Sequence, residues 1–179
     1  MGYVQPNYTW TKVSSVKVNN KGSYPGASIG GGIDYHFKTN YGIHASLRFT
    51  HYQFGLSEID TFGILLENAS YRMECIGLPI GLKMTTSPLQ RYFLYAKLGF
   101  IPEYTVISKI NAEFNTSPDL KKLNKFSVSY FIELGNETKL NNRDRLQIGL
   151  IISNGLTSVI DSKGSVLLNS IGLKGAYLF

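Results

Sequence analysis

Apolar and polar side chains alternate with a period of two along most of this chain, and nothing longer than a turn or two carries helical spacing. The alternation predicts eight strands, over residues 3–15, 26–38, 42–54, 70–84, 91–105, 126–138, 145–155 and 166–179. The connections between them alternate in length. Gaps 16–25, 55–69, 106–125 and 156–165 are long, whereas 39–41, 85–90 and 139–144 are short and rich in turn formers. Strict alternation of long and short gaps, with an even number of strands, is the connectivity of an all-β, eight-stranded antiparallel up-and-down transmembrane β-barrel.

Each strand separates two faces. One carries Ile29, Ile33, Tyr35 and Phe37, then Ile43, Leu47 and Phe49, Ile76 to Leu82 in steps of two, Leu94, Leu98 and Phe100, and Ile148, Leu150 and Ile152. The other carries Asp34, His36, His44, Arg48, Lys83, Lys97, Glu103, Glu133, Glu137, Gln147 and Lys174, interleaved with glycines. In a soluble lipocalin-like barrel the aliphatic face would point inward and could hold a small apolar ligand. In a membrane barrel the sense is reversed. Three features favour lipid outside: aromatic residues near strand ends, glycine on the polar face where a narrow barrel is crowded, and a last strand that runs to Phe179. That strand sets Ile171, Leu173, Tyr177 and Phe179 on one face, the expected signal for the barrel assembly machinery.

Composition agrees with strands rather than helices. The 179 residues are expected to form one domain, 1–179, with twelve Tyr and ten Phe against one Trp, and only 17% charged residues. No run approaches the roughly 20 consecutive apolar residues of a spanning helix, so a span must be made of strands of about 9–11 residues. The lone cysteine, Cys75, excludes an internal disulfide. A net charge of +6 comes from scattered Lys and Arg, with one local cluster, Lys121-Lys122-Leu123-Asn124-Lys125. This pattern argues against nucleic acid and suits anionic lipid headgroups or glycolipid at the surface. No basic, hydrophobic leader opens the chain, which is expected of a mature envelope protein.

Four segments carry a resemblance. Gly77-Leu78-Pro79-Ile80-Gly81-Leu82-Lys83, Tyr92-Phe93-Leu94-Tyr95-Ala96-Lys97-Leu98-Gly99, Asn154-Gly155-Leu156-Thr157 and Ile171-Gly172-Leu173-Lys174-Gly175-Ala176-Tyr177-Leu178-Phe179 follow in order. Together they resemble strands four, five, seven and eight of the Bacteroidetes outer-membrane β-barrel family, the PorT-like group. The resemblance implies an outer-membrane location and an architecture without general catalytic residues. It also raises the alternative of a component of a secretion or assembly complex.

The candidate chemistry is sparse. Gly26-Ala27-Ser28-Ile29-Gly30 fits the G-x-S-x-G of serine hydrolases, but strand follows where the nucleophile elbow needs a helix. His36 and His44 flank a short turn and could pair across a hairpin on the polar face, with His51 on the opposite face. Two histidines without a well-spaced carboxylate do not make a zinc site. His44-Ala45-Ser46 is similar to the reacting groups of lipid-modifying barrel enzymes, yet this pair points inward. No enzyme activity, metal or cofactor is therefore expected. Asp34, Arg48, Lys83, Lys97, Glu133, Glu137 and Lys174 lie on different strands and are expected to pair inside a narrow lumen, because unpaired burial of charge is costly. The expected protein is a monomer with a structural or interaction role. Its loops 57–68 and 110–121 would extend strands beyond the membrane or offer a contact surface to a protein partner.

Overall fold

In the computed structural model, residues 1–14, 18–59, 65–86, 92–112, 123–141, 144–160 and 165–179 are described. Most of the 110–121 loop and the Lys121-Lys122 half of the basic cluster lie outside them. The strands are β1 (Gly2–Ser14), β2 (Val18–Asn20), β3 (Tyr24–Lys38), β4 (Tyr41–Ile59), β5 (Leu65–Gly77), β6 (Ile80–Thr85), β7 (Tyr92–Ala112), β8 (Phe126–Lys139), β9 (Arg145–Gly155) and β10 (Ser165–Leu178). Every pairing between them is antiparallel.

The sheet closes on itself. β10 pairs with β1 from Tyr177↔Gly2 to Ser165↔Ser14, joining the last strand to the first. From there the order runs β10-β9-β8-β7, then β5 and β6, then β4, β3 and β1, a ring of eight staves. β5 and β6 form one stave, because both pair with β4 and β7. The single strand expected over 70–84 is therefore broken at Leu78-Pro79, where proline has no N–H for the ladder. Pairing continues across the break: Ser46 N donates to Pro79 O at 3.0 Å and Leu78 N to Pro102 O at 2.9 Å.

Adjacent residues decide which face is outside. Leu98 is 51% exposed and Leu134 58%, while Lys97 and Glu133, one residue earlier on the same strands, are fully buried. The same holds for Ile29, Ile33, Leu47, Ile80, Ile148 and Leu173, all exposed on the outer surface. This orientation does not favour the soluble alternative, since at the level of these residues the aliphatic face points outward and the charged one lies inside. Exposed Tyr35, Phe37, Tyr41, Tyr92 and Tyr177 sit toward the short-turn end, and Tyr8, Tyr104 and Phe126 toward the other. Two such aromatic girdles bracket the apolar band of a membrane barrel, with short turns on the periplasmic side.

Several staves run further than the alternation of apolar residues suggested. β4 reaches Ile59 rather than 54, β5 starts at Leu65 rather than 70, and β7 reaches Ala112 rather than 105; β2 adds a short strand beside β4. The reason is an inversion of polarity along each strand. On β4 the outward side chains change from Leu47 and Phe49 to His51 and Gln53, while the inward ones change from Arg48 and Thr50 to Tyr52, Phe54 and Leu56. On β5, reading away from the membrane, outward Ile76 gives way to Glu74 and Arg72 over inward Cys75, Met73 and Tyr71. Inside the bilayer the apolar face meets lipid; beyond it the apolar face turns to the core, as in a water-soluble sheet.

Candidate functional site

The interior is filled in two layers of different chemistry. Toward the periplasmic end, Lys83 on β6 donates to Asp34 Oδ2 at 2.7 Å and to Glu137 Oε2 at 2.8 Å. Glu137 also accepts from Arg145 at 2.6 Å and from Gln147 at 2.7 Å. A second group centres on Glu133, which accepts from Lys174 at 3.0 Å and from the Tyr95 hydroxyl at 2.8 Å, with Lys97 Nζ 3.7 Å away. Lys97 also donates to Gln147 Oε1 at 3.3 Å, which ties the two groups together.

Register explains why they meet. Lys97 stands directly opposite Glu133 across the β7–β8 ladder, and Lys83 stands directly opposite Lys97 across β6–β7. Opposed like charges destabilise a sheet unless each is neutralised. Here Lys83 turns to Asp34 and Glu137 while Lys97 turns to Glu133, and the Tyr95 ring lies 5.5 Å from one ammonium and 5.1 Å from the other. Lys174 lies 4.3 Å over the Tyr3 ring. Each of these three lysines thus has a carboxylate and an aromatic face.

Arg48, expected among these charges, stands apart. Its guanidinium donates to Glu103 Oε1 at 2.7 Å and to the Tyr52 hydroxyl at 2.9 Å, and Tyr52 donates in turn to Glu103. Glu103, Tyr52, Tyr95, Arg145 and Gln147 complete the ionic layers. Glu103 and Gln147 were visible on the polar face, but their partners Arg48 and Lys97 lie two staves away and leave no local spacing in the sequence. Tyr95 and Tyr52 carried no signal that separated them from lipid-facing aromatics.

Toward the outer end the lumen becomes apolar. Tyr52, Phe54, Leu56, Ala69, Tyr71, Met73 and Cys75 pack with Val159, Ile160 and Val166. Phe54 and Tyr71 stack with centroids 4.9 Å apart. The segment after β9 folds over this end, held by Asn124 N to Val159 O at 2.9 Å and by the Leu123↔Ile160 bridge. Expectation stopped at polar side chains filling the lumen; an apolar stopper sits above them. At the periplasmic end the interior opens into a vestibule of about 790 Å³ lined in part by Asp34, His36, Glu137 and Arg145.

The remaining sequence candidates have structural places. His36 does not pair with His44: the register sets His36 opposite Gly42 and His44 opposite Asp34, with a shift between His36 and Lys38 that leaves His36 exposed at the mouth. His44 Nδ1 lies 2.6 Å from Asp34 Oδ1 and its Nε2 3.2 Å from Ser46 Oγ. All three side chains belong to the packed interior, where lipid does not reach. Ser28 lies within β3, accepting from Asn7 at 3.3 Å, so no nucleophile elbow forms. Ile171, Leu173 and Tyr177 are exposed on the outer face of β10, and Tyr177 and Phe179 lie 6.5 Å apart. Among the described residues no three His, Cys, Asp or Glu side chains are grouped to hold a metal.

Comparison with known proteins places these features. The family model described as outer membrane protein beta-barrel domain matches residues 3–161. Similar solved structures include Neisserial surface protein A, at 12% identity over 99% of this chain and 96% of that one, TM-score 0.47. The outer membrane protein OprG from Pseudomonas aeruginosa is 11% identical over 99% and 94%, TM-score 0.47. Ail, the attachment invasion locus protein of Yersinia pestis, solved with the heparin analogue sucrose octasulfate, is 14% identical over 99% and 99%, TM-score 0.41. No curated protein matches the sequence.

Proposed function

Because the chain belongs to the outer membrane protein β-barrel domain family, we propose that this integral protein of the bacterial outer membrane is a closed, monomeric scaffold whose function is structural or interactive rather than catalytic or conductive. The observation that supports this reading is the double filling of the lumen: Lys83, Lys97, Glu133 and Gln147 are fully buried below, and Phe54, Leu56 and Tyr71 above. What remains available for specific contact is the outer part, where β4, β5 and β7 stand clear of the bilayer on their own apolar core. A protein partner at that surface and lipid around the band are the contacts proposed. Within the family, the motifs at 77–83 and 171–179 support a place in the PorT-like group.

The test is electrical. Purified protein inserted into a planar bilayer is expected to give no stepwise current, while migrating as a folded barrel on gels. A steady ohmic current from folded protein would overturn the closed-scaffold reading.

A further inference from the structure

Arg72 on β5 and Lys109 on β7 stand directly opposite each other, and both are exposed on the outer face. Opposed side chains in an antiparallel ladder have Cβ atoms about 4.5–5.5 Å apart, and like charges there repel. Among the described residues two other ladder pairs oppose cations: Lys83 and Lys97, resolved with carboxylates on both sides, and Lys139 and Arg145 at the short-turn end, where Arg145 is held by Glu137. Nothing comparable serves Arg72 and Lys109. Among the described residues neither side chain makes an ion pair or a hydrogen bond. The row continues to Gln53, which is uncharged. Glu74, two residues toward the membrane on the same face, stands opposite His51 and Ile107 and makes no ion pair among the described residues. Lys125, exposed just before β8, adds a third positive charge at this end.

We propose that Arg72 and Lys109 form a recognition site for the phosphorylated headgroup of an outer-leaflet lipid. Their height supports this. Arg72 is four residues beyond Ile76, about 13 Å along a strand at roughly 3.3 Å per residue and about 10 Å along the membrane normal once strand tilt is included. That is headgroup depth. Directly toward the membrane, Ile76, Tyr104 and Phe126 form an exposed apolar run across three staves. An anion carrying acyl chains satisfies both the cations and this run, which a free phosphate cannot do. Arginine supplies a two-pronged grip on phosphate oxygens and lysine a point charge. The inference rests on the membrane orientation proposed above.

The test uses the full chain in phosphatidylcholine nanodiscs doped with a diphosphorylated glycolipid or with its dephosphorylated form. Wild type is expected to retain the phosphorylated lipid preferentially. An Arg72→Ser, Lys109→Ser double variant should bind it about tenfold more weakly, a loss of about 1.4 kcal/mol, while Lys12→Ser, which removes an outward cation on β1, binds as wild type. Equal retention by the double variant overturns the site, as does an equal loss in Lys12→Ser or full competition by inorganic phosphate. If the serine variant fails to fold, the Arg72→Gln and Lys109→Gln single variants carry the same comparison. Heat-modifiable gel migration, read on every sample, separates a failed barrel from a failed lipid site.

Discussion

The hydroxyl of Tyr95 occupies the space that a side chain at position 149 would need. Gly149 and its cross-strand partner Gly135 both approach that hydroxyl, so a Cβ at either position collides with it. Tyr95 can therefore lie over β8 and β9 and donate to Glu133 on the neighbouring stave only because these two staves are bare at that level.

Enlarging Gly149 should displace Tyr95 from between the two lysines. Gly149→Val is expected to destabilise the barrel by about 1–3 kcal/mol through overpacking. Combining it with Tyr95→Ala should cost clearly less than the sum of the single changes, since the collision is then absent. Urea unfolding in lipid vesicles of the two single variants and the double variant checks this, and strict additivity would refute it.

Lys97 and Leu98 are consecutive but belong to different solvents. Leu98→Arg puts a charge on the lipid face and is expected to cost roughly 2–4 kcal/mol if the site lies near the midplane. The partners Leu82 and Ile132, exposed on the neighbouring staves, surround it with hydrocarbon-facing side chains. Reversible unfolding in bilayers gives the number, and tolerance of arginine there would contradict the orientation.

Glu133 serves both Lys97 and Lys174. Glu133→Ala leaves two buried ammonium groups short of a counter-ion and should cost about 3–5 kcal/mol, the usual penalty for breaking a buried pair. Adding Lys97→Met should restore part of the loss, measured in the same unfolding assay. No recovery would show that the lysines are neutralised by other means.

Phe54 stacks on Tyr71 in the outer core rather than in the membrane band. Phe54→Ala is expected to destabilise that layer by about 3–5 kcal/mol, which should appear as faster proteolysis near the ends of β4 and β5. The membrane-embedded band should remain protected. Uniform loss of protection along the whole barrel would mean that the two layers unfold as one unit.

Most of the architecture was legible because the membrane imposes a two-residue period on every stave, and the face holding Leu98, Ile132 and Leu173 is continuous in the sequence. The eight staves follow directly, whereas the outward placement of that face needed the aromatic strand ends, the glycines of the polar face and the final Phe179 as well. The break at Pro79 was hidden because Leu78 and Ile80 keep the same alternation on either side of it. Strand ends at 59, 65 and 112 were hidden for the opposite reason: past His51 and Glu74 the faces exchange chemistry, and an alternation read for lipid stops there. Arg48 illustrates the limit for the interior. Its residue type predicted an inward ion pair, but whether it met Glu133 or Glu103 depends on stagger around the ring, which no local spacing encodes.

The exchange of polarity along β4 and β5 also bears on the lipid itself. Sliding the barrel inward by two residues would drag His51 and Glu74 into hydrocarbon, so vertical position is fixed from the side of the protein. A bilayer thicker than the band is then expected to thin around the barrel, because each ångström of mismatch costs only a fraction of a kcal/mol in lipid deformation whereas immersing charged side chains costs more. The molecule acts on its surroundings as a gauge of membrane thickness, imposing its own value on the lipids nearest to it.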